Sequence, residues 1–497
     1  MLSPELSARL GELTDLGAAG ALLGWDQQTQ MPPAGGEARG EVMATIASLG
    51  HERLTAPELG TLLDAAEPED EQDAAIVRVV RRDHEKASRV PAELAREMEL
   101  ASARAHEPWA RARATDDFGL FRPFLEKNLE LRRRYVDCFE GAEHPYDTLM
   151  DNFEPGLTTA RVREVFDRLR EGLVPLAAEI AAAEPAPVLP GPFPIAGQQA
   201  LGRDIARSFG FDESAWRIDL AVHPFASSLN PQDVRVTARY TEENLQGIFA
   251  VMHEVGHGLY EHQIDPGLAR TTLQTGVSLG IHESQSRLWE NLVGRSEPFW
   301  RHWGPRLRET FGAGIGDCSD AELLRAINTV EPGLIRVDAD EVTYSLHVIL
   351  RFRLEVAMIE GSLAVADLPE AWNAGMQELL GVEVPDDTRG CLQDIHWSFG
   401  ELGYFPTYAI GNIVAAQLWE ALSAAVPDLD DQVAAGEYGT IRDWLREHVH
   451  RYGRTVEPTE LLERATGQAL DPEPLLAQLR VKYGGLYGLA ATPGARS

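Results

Sequence analysis

The residues of this chain best suited to chemistry are His253-Glu254-Val255-Gly256-His257, two imidazoles one helical turn apart with a carboxylate between them. Neutral imidazoles at that spacing can hold one metal ion from a single helix face, and the glutamate can take a proton from a metal-bound water. That is the ligand pair and general base of a zinc hydrolase. The flanking residues predict a helix. Thr241-Glu242-Glu243 offers a cap followed by acids where the helix dipole favours them. Leu245, Ile248, Phe249, Met252, Gly256 and Leu259 then recur at three- and four-residue steps as one buried stripe. His253 and His257 lie beside that stripe, about 6 Å apart in rise. Gly256 costs about 1 kcal/mol relative to Ala inside a helix, so its presence predicts a close neighbour. The competing reading is a core helix whose histidines are merely hydrogen-bonded.

A tetrahedral catalytic site needs a third protein ligand and an open fourth position. Glu261 lies about 12 Å in rise from His253, too far for one ion on a straight helix. The long zincin pattern with a third histidine also fails, because position 260 is Tyr and position 263 is Gln. A carboxylate from a second helix is wanted. Glu283 heads such a helix in Gly280-Ile281-His282-Glu283-Ser284-Gln285, and helical spacing continues through Leu288, Trp289 and Leu292. His282 and Gln285 flank this ligand and could orient the groups around the ion.

With these residues the chain resembles the M32 family of metallocarboxypeptidases, the thermostable carboxypeptidase group. Its signatures occur in order: His223-Pro224-Phe225, Asp233-Val234-Arg235-Val236-Thr237, the zinc-helix pentapeptide, His282-Glu283-Ser284-Gln285, and Gly390-Cys391-Leu392-Gln393-Asp394-Ile395-His396-Trp397. Leu23-Gly24-Trp25-Asp26-Gln27 to Met31-Pro32 and His144-Pro145-Tyr146-Asp147 extend the likeness toward the N-terminus. The resemblance implies a mostly α-helical, elongated fold of the multi-helix gluzincin type, often a homodimer. It also implies removal of single residues from peptide C-termini with Zn²⁺, or Co²⁺ as a substitute. It assigns His223 to the site as a catalytic residue, holding the substrate carbonyl or its terminal residue; the proline after it makes its backbone extended at a strand end.

Peptide hydrolysis also needs a donor for the oxyanion and a grip on the substrate. Tyr408, then Tyr404, are the phenols for the first task, since Gly403 and Pro406 break the helix around them. A free C-terminal carboxylate is best bound by the planar fork of an arginine. Arg336 is the first candidate, with Arg235 and Arg351 as alternatives, although Asp338, Asp340 and Glu341 could pair with Arg336 and make it structural. Arg235 could instead close one end of the groove. Asp394 and His396 are two apart, so no helix puts them on one face, and the reading makes this stretch a loop shaping the substrate groove, with His396 in contact with substrate. The rival enzyme is a zinc oligopeptidase that cuts internally. A non-catalytic binding protein is disfavoured by the presence of Glu254, and a structural zinc site by the absence of cysteine near the motif.

The elements positioning these groups read as helices throughout 1–183, a Pro-rich connector over 184–196, and a zinc-site-bearing region over 197–497, all one catalytic unit. The best strand signals, Ile218-Asp219-Leu220-Ala221-Val222 and Val234-Arg235-Val236-Thr237, predict a small β-sheet over 217–240 beside the active-site groove. A balance of 45 basic against 78 acidic residues gives −33, a field that repels nucleic-acid phosphates and anionic lipid, so neither is an expected partner. No apolar run approaches the roughly 20 residues of a membrane span, and no signal peptide is visible. Cys138, Cys318 and Cys391 are few and widely spaced, which points to a reducing, cytoplasmic setting.

Overall fold

The structure is a computed structural model that describes residues 2–489. Amphipathic repeats become helices, as the three- and four-residue spacing requires. The N-terminal series runs α1 (Pro4–Thr29), α2 (Gly36–Thr55), α3 (Pro57–Asp64), α4 (Glu71–Arg89), α5 (Ala92–Thr115), α6 (Phe118–Val136), α7 (Pro145–Met150) and α8 (Thr159–Ala181). Residues 184–194 carry no helix, because successive prolines remove N–H donors and bias the residues before them to extended backbone. After α9 (Ile195–Phe209) come β1 (Trp216–Leu220), β2 (Ala226–Asn230) and β3 (Asp233–Ala238). The chain then returns to helices: α10 (Gln246–His262), α11 (Leu279–Arg287), α12 (Glu297–Phe311), α13 (Asp320–Ile327), α14 (Tyr344–Glu360), α15 (Leu368–Leu380) and α16 (Pro406–Ala425). The last four are α17 (Leu429–Ala435), α18 (Gly439–His448), α19 (Pro458–Thr466) and α20 (Glu473–Tyr487). Among the described residues no single helix is long and apolar enough to cross a membrane.

The sheet has the order β1-β3-β2, with β1 parallel and β2 antiparallel to β3. β2 is the strand that sequence patterning misses, because Ala226-Ser227-Ser228-Leu229-Asn230 contains no β-branched residue. Alternation along β1 and β3 gives the sheet two jobs. Trp216 and Val234 face α10, where Gly258 has no side chain to hold them off. On the other face Arg217 and Arg235 stack over the indole of Trp25 in α1, at 4.6 and 4.3 Å from the ring centroid.

Most buried apolar side chains form one cluster extending from Ala105 to Tyr483. A second, smaller cluster joins Leu6 and Leu10 of α1, Leu59 and Leu63 of α3 and Val79 and Val80 of α4 to Ile264, Leu268 and Leu273, which belong to the connection between α10 and α11. The helix that carries His253 and His257 starts at Gln246 rather than directly after Thr241. The reason is tertiary: Glu242 O accepts from Phe193 N, and Thr241 O from Gln198 Nε2, so the Pro-rich stretch and α9 hold 241–242 outside the helix. Asn244 Oδ1 accepts from Gln246 N where the helix begins.

Three helices meet at glycines. A Cβ on Gly256 of α10 would lie 2.7 Å from Gln285 O and 2.7 Å from Ser286 Cα of α11. One on Gly411 of α16 would lie 2.5 Å from Glu283 Cγ. α11 is therefore wedged between two helices that approach it at backbone distance. Beyond Arg287 its path widens into a π-helical segment, Leu288–Val293, a form that concentrates at functional sites. Gly256→Ala should lower the free energy of unfolding measured in urea by roughly 1–3 kcal/mol through overpacking, despite the better helix propensity of Ala. Gly17→Ala, on exposed α1 with nothing within 4 Å of the added methyl, should instead raise it by up to about 1 kcal/mol.

Candidate metal centre

The crossing at Gly256 puts the imidazoles of α10 opposite the carboxylate of α11. One ligand atom from each of His253, His257 and Glu283 lies within 4.8 Å of the others. Glu283 Oε2 stands 3.7 Å from His253 Nε2 and 3.5 Å from His257 Nε2. Tetrahedral bonds of about 2.0–2.1 Å place neighbouring donors about 3.4 Å apart, so the spacing fits a zinc-sized ion.

The outer ring nitrogens fix the tautomers. His253 Nδ1 donates to Glu290 Oε2 at 2.9 Å. His257 Nδ1 lies 2.6 Å from His282 Nδ1, and His282 Nε2 lies 2.9 Å from Glu261 Oε1. With the Glu261 carboxylate as acceptor, His282 carries its proton on Nε2 and accepts from His257 on Nδ1. Both histidines then present a bare Nε2 to the centre, the arrangement by which outer partners orient the ligands of metal sites. Burial keeps His257 neutral, pushed down to about 4. Burial works against ionisation of Glu283 as well, but Arg287 and the two imidazoles outweigh it and hold the carboxyl well below its usual range. For Glu290 the opposition of burial is overcome by the His253 hydrogen bond and Arg287, bringing it down to about 2. Arg287 ties the two acids together, giving Nε to Glu283 Oε1 at 2.7 Å and Nη1 to Glu290 Oε2 at 3.3 Å. The donor set, its spacing and its preset tautomers fit a divalent cation.

Glu254 is 6 % exposed, and burial pushes its carboxyl up to about 7, near the range useful to a general base. It shares a cavity of about 770 Å³ with His253, Arg287, Arg336, Tyr344 and Tyr408. Tyr408, in the first turn of α16, lies 3.3 Å through its hydroxyl from His396 Nε2, and the Arg336 guanidinium sits 4.8 Å over its ring. Burial keeps that phenol protonated, well above its usual range. His396 is pushed down to about 4, by burial first, with Arg336 and Arg351 adding to the effect against Asp394. Tyr404 packs edge-on against Phe153 and Tyr408.

The arginines sort differently from their sequence expectation. Arg336 pairs with none of Asp338, Asp340 and Glu341; its Nε and Nη2 donate to Asp394 Oδ1 at 3.0 and 2.8 Å, and Nη1 donates to Tyr344 Oη. Asp340 accepts from Val342, Thr343 and Glu331, and Glu341 pairs with Lys482. Arg351 does not line the cavity that Arg336 lines. It is wholly buried, with Nε on Asp394 Oδ2, Nη1 on His347 O and Nη2 on Gln393 Oε1. Arg235 does not join the centre either, since it lies on the face of β3 turned from α10, clamped by Asp233 and Trp25. His223 is exposed between β1 and β2, with only its neighbour Pro224 lining the cavity. Gln285 reaches His450 rather than a ligand histidine.

Glu290, Arg287, Glu261 and Asp394 are the functional neighbours that sequence reasoning leaves unassigned. Glu283, Arg287 and Glu290 are spaced four and three apart on one helix face, a readable signal for the first two. Behind the cavity wall, Glu355 accepts from Tyr146 Oη, Gly403 N and Trp397 Nε1 and so joins the loop after His396 to α14. Burial nevertheless pushes this carboxyl from 4.5 up to about 7. The folded protein keeps that proton where the unfolded chain has lost it, so stability falls as pH rises from 4.5 through about 7. Glu355→Gln should flatten the decline of the thermal midpoint between those pH values, by an amount worth roughly 1–3 kcal/mol.

Comparison with known proteins identifies the family. The sequence profile of the family described as carboxypeptidase Taq (M32) metallopeptidase matches residues 5–483. Thermostable carboxypeptidase 1 of Thermus thermophilus is 40 % identical over 496 residues, covering 96 % of this chain and 97 % of that protein. The crystal structure of the M32 carboxypeptidase from Deinococcus radiodurans R1 superposes with a TM-score of 0.95 at 43 % identity, covering 97 % of this chain and 99 % of that one. Pyrococcus furiosus carboxypeptidase in its Apo-Mg form gives a TM-score of 0.94 at 36 % identity, over 96 % and 98 % of the two chains. This chain belongs to the M32 family of metallocarboxypeptidases.

Proposed function

We propose that the chain releases single residues from peptide C-termini at the His253–His257–Glu283 centre, with Zn²⁺ as the resident cation and Co²⁺ as a workable substitute. The observation that carries this is the shared cavity: a buried glutamate of raised pKa stands beside the ligand set, and an arginine and a protonated tyrosine line the same space. A His₂Glu set suits zinc, and the order of affinities leaves cobalt a plausible occupant. When bound, the cation supplies Lewis acidity, polarising the scissile carbonyl and making water more acidic.

The chain's own residues carry the rest. Glu254 takes a proton from the attacking water and returns it to the leaving amine. Tyr408, held beside His396, donates its phenolic hydrogen to the oxygen on which negative charge develops. Arg336 keeps N–H groups beyond those used by Asp394 and Tyr344, and these bind the terminal carboxylate. Asp394 fixes the fork while sharing its charge with Arg351, so Arg336 binds as a preset donor that stays positive. His223 and Pro224 stand at the rim, His223 in reach of a substrate already seated, while Tyr404 and His396 shape the groove wall. Arg235 acts at one remove, limiting which peptides fit through its hold on α1. Three free cysteines support a reducing, cytoplasmic setting, and family likeness supports a homodimer.

Glu254→Gln should bind zinc as the wild type does in chelator competition yet lose roughly 10³-fold or more in kcat. A peptide ladder read by mass spectrometry should shorten one residue at a time from the C-terminus and stop on adding chelator. Peptides amidated at the C-terminus should be cut at least 10-fold more slowly than free acids, and equal rates would favour internal cleavage instead.

A further inference from the structure

The helix that carries Glu283 is held at its start by residues from the other half of the chain. Glu154, in the turn after α7, is 4 % exposed. Its Oε1 accepts from Ser278 Oγ at 2.8 Å and its Oε2 from Gly280 N at 2.8 Å. Next to it, Phe153 O accepts from Leu279 N at 3.0 Å. Ser278 Oγ serves Ile281 N. The opening N–H groups of α11 are thus all satisfied, two of them by residues 153 and 154. The approach is close, since a Cβ on Gly280 would lie 2.5 Å from Glu154 Oε2 and 2.8 Å from Ile410 Cγ2. The turn is anchored in its own right. Asp151 pairs with Arg82 and Lys86 of α4 at 2.9 and 2.7 Å, and Asn152 Oδ1 accepts from Tyr135 Oη of α6.

A serine cap alone would begin this helix at little cost. A carboxyl almost shut off from water is an expensive addition, and burial pushes Glu154 up to about 7 in spite of its donors. What the carboxyl adds is a fixed point: its two oxygens set the axial position of α11, and one turn further on stand His282 and Glu283. We propose that Glu154 is a positioning residue for the metal centre, fixing where α11 begins and hence where Glu283 and His282 stand relative to His253 and His257. It touches neither cation nor substrate. The proposal rests on the metal-centre reading above.

The test is zinc affinity of the full-length, metal-stripped chain, measured by chelator competition without substrate, for Glu154→Ala, Glu154→Gln and Ser278→Ala. Ser319→Ala is the control. It removes an ordinary capping-box serine from α13, remote from the ligand helices, and should lower the thermal midpoint while leaving zinc affinity unchanged. Glu154→Ala should weaken zinc binding by about 10- to 100-fold and lower kcat with KM within about twofold of wild type. Glu154→Gln, whose amide oxygen still accepts from Gly280 N, should recover most of both. Should Glu154→Ala fail to fold, Ser278→Ala carries the test with a loss of a few fold or more. Wild-type zinc affinity in Glu154→Ala, or in Ser278→Ala where it stands in, beside a Glu283→Gln variant that has lost zinc, overturns this proposal alone. Undiminished zinc binding in Glu283→Gln overturns the metal-centre reading, and this proposal with it.

Discussion

The near-contact of two helix backbones at Gly256 is the constraint on which the rest of this molecule depends. No side chain on α10 separates it from Gln285 and Ser286 at that point. Two imidazoles on one helix can supply only two corners of a tetrahedron, and a carboxylate from elsewhere must come within about 3.4 Å of both. Side chains of ordinary size between the helices would hold Glu283 too far away. α16 applies the same constraint from the opposite side through Gly411, so Glu283 has little room to turn from the histidines. Glycine here is a packing device, and its helix cost is the counterpart of the short distance.

Around that crossing the polar groups form a closed account. His253 leans on Glu290, His257 on His282 and then Glu261, and Glu283 on Arg287. Each of these partners occupies the nitrogen or oxygen that faces away from the centre. The π-helical turn after Arg287 keeps Glu290 on the side of His253, so one continuous segment contributes the candidate ligand Glu283, the arginine that steadies it and the acid that orients its neighbour. A second knot, Arg336–Asp394–Arg351, does for the groove wall what these pairs do for the ligands. One carboxylate shared by two buried guanidiniums leaves excess positive charge, and only Arg336 lies where a substrate could meet it.

How much of this can be read from the chain alone depends on distance along it. Helical spacing decides the His253–His257 pair, the stripe beside it and the need for a second helix, and Gly256 announces its close neighbour. Glu290 could be found by the same spacing from Glu283. The arginines are different. Arg336 has acids two, four and five residues away, yet its partner is Asp394, and nothing local ranks a distant acid above near ones. Arg351 and Arg235 attract a functional reading by residue type, although Arg351 is held by Asp394, His347 O and Gln393, and Arg235 by Asp233 and the face of the Trp25 ring. The start of α10 is set by hydrogen bonds from the Pro-rich stretch and α9, which no local cap signal contains. β2 escapes because pairing with β3, rather than propensity, makes it a strand.

The small satellite cluster under the first helices has a consequence for the centre. Ile264, Leu268 and Leu273 sit in it, and they lie on the only stretch of chain that leads from the histidine helix to the glutamate helix. That tether has no regular element longer than a 3₁₀ turn to stiffen it. Its rigidity is lent by α1, α3 and α4, whose apolar faces grip it from outside. The amino-terminal helices thus serve as a splint across the strip of chain that joins the two helices of the candidate centre.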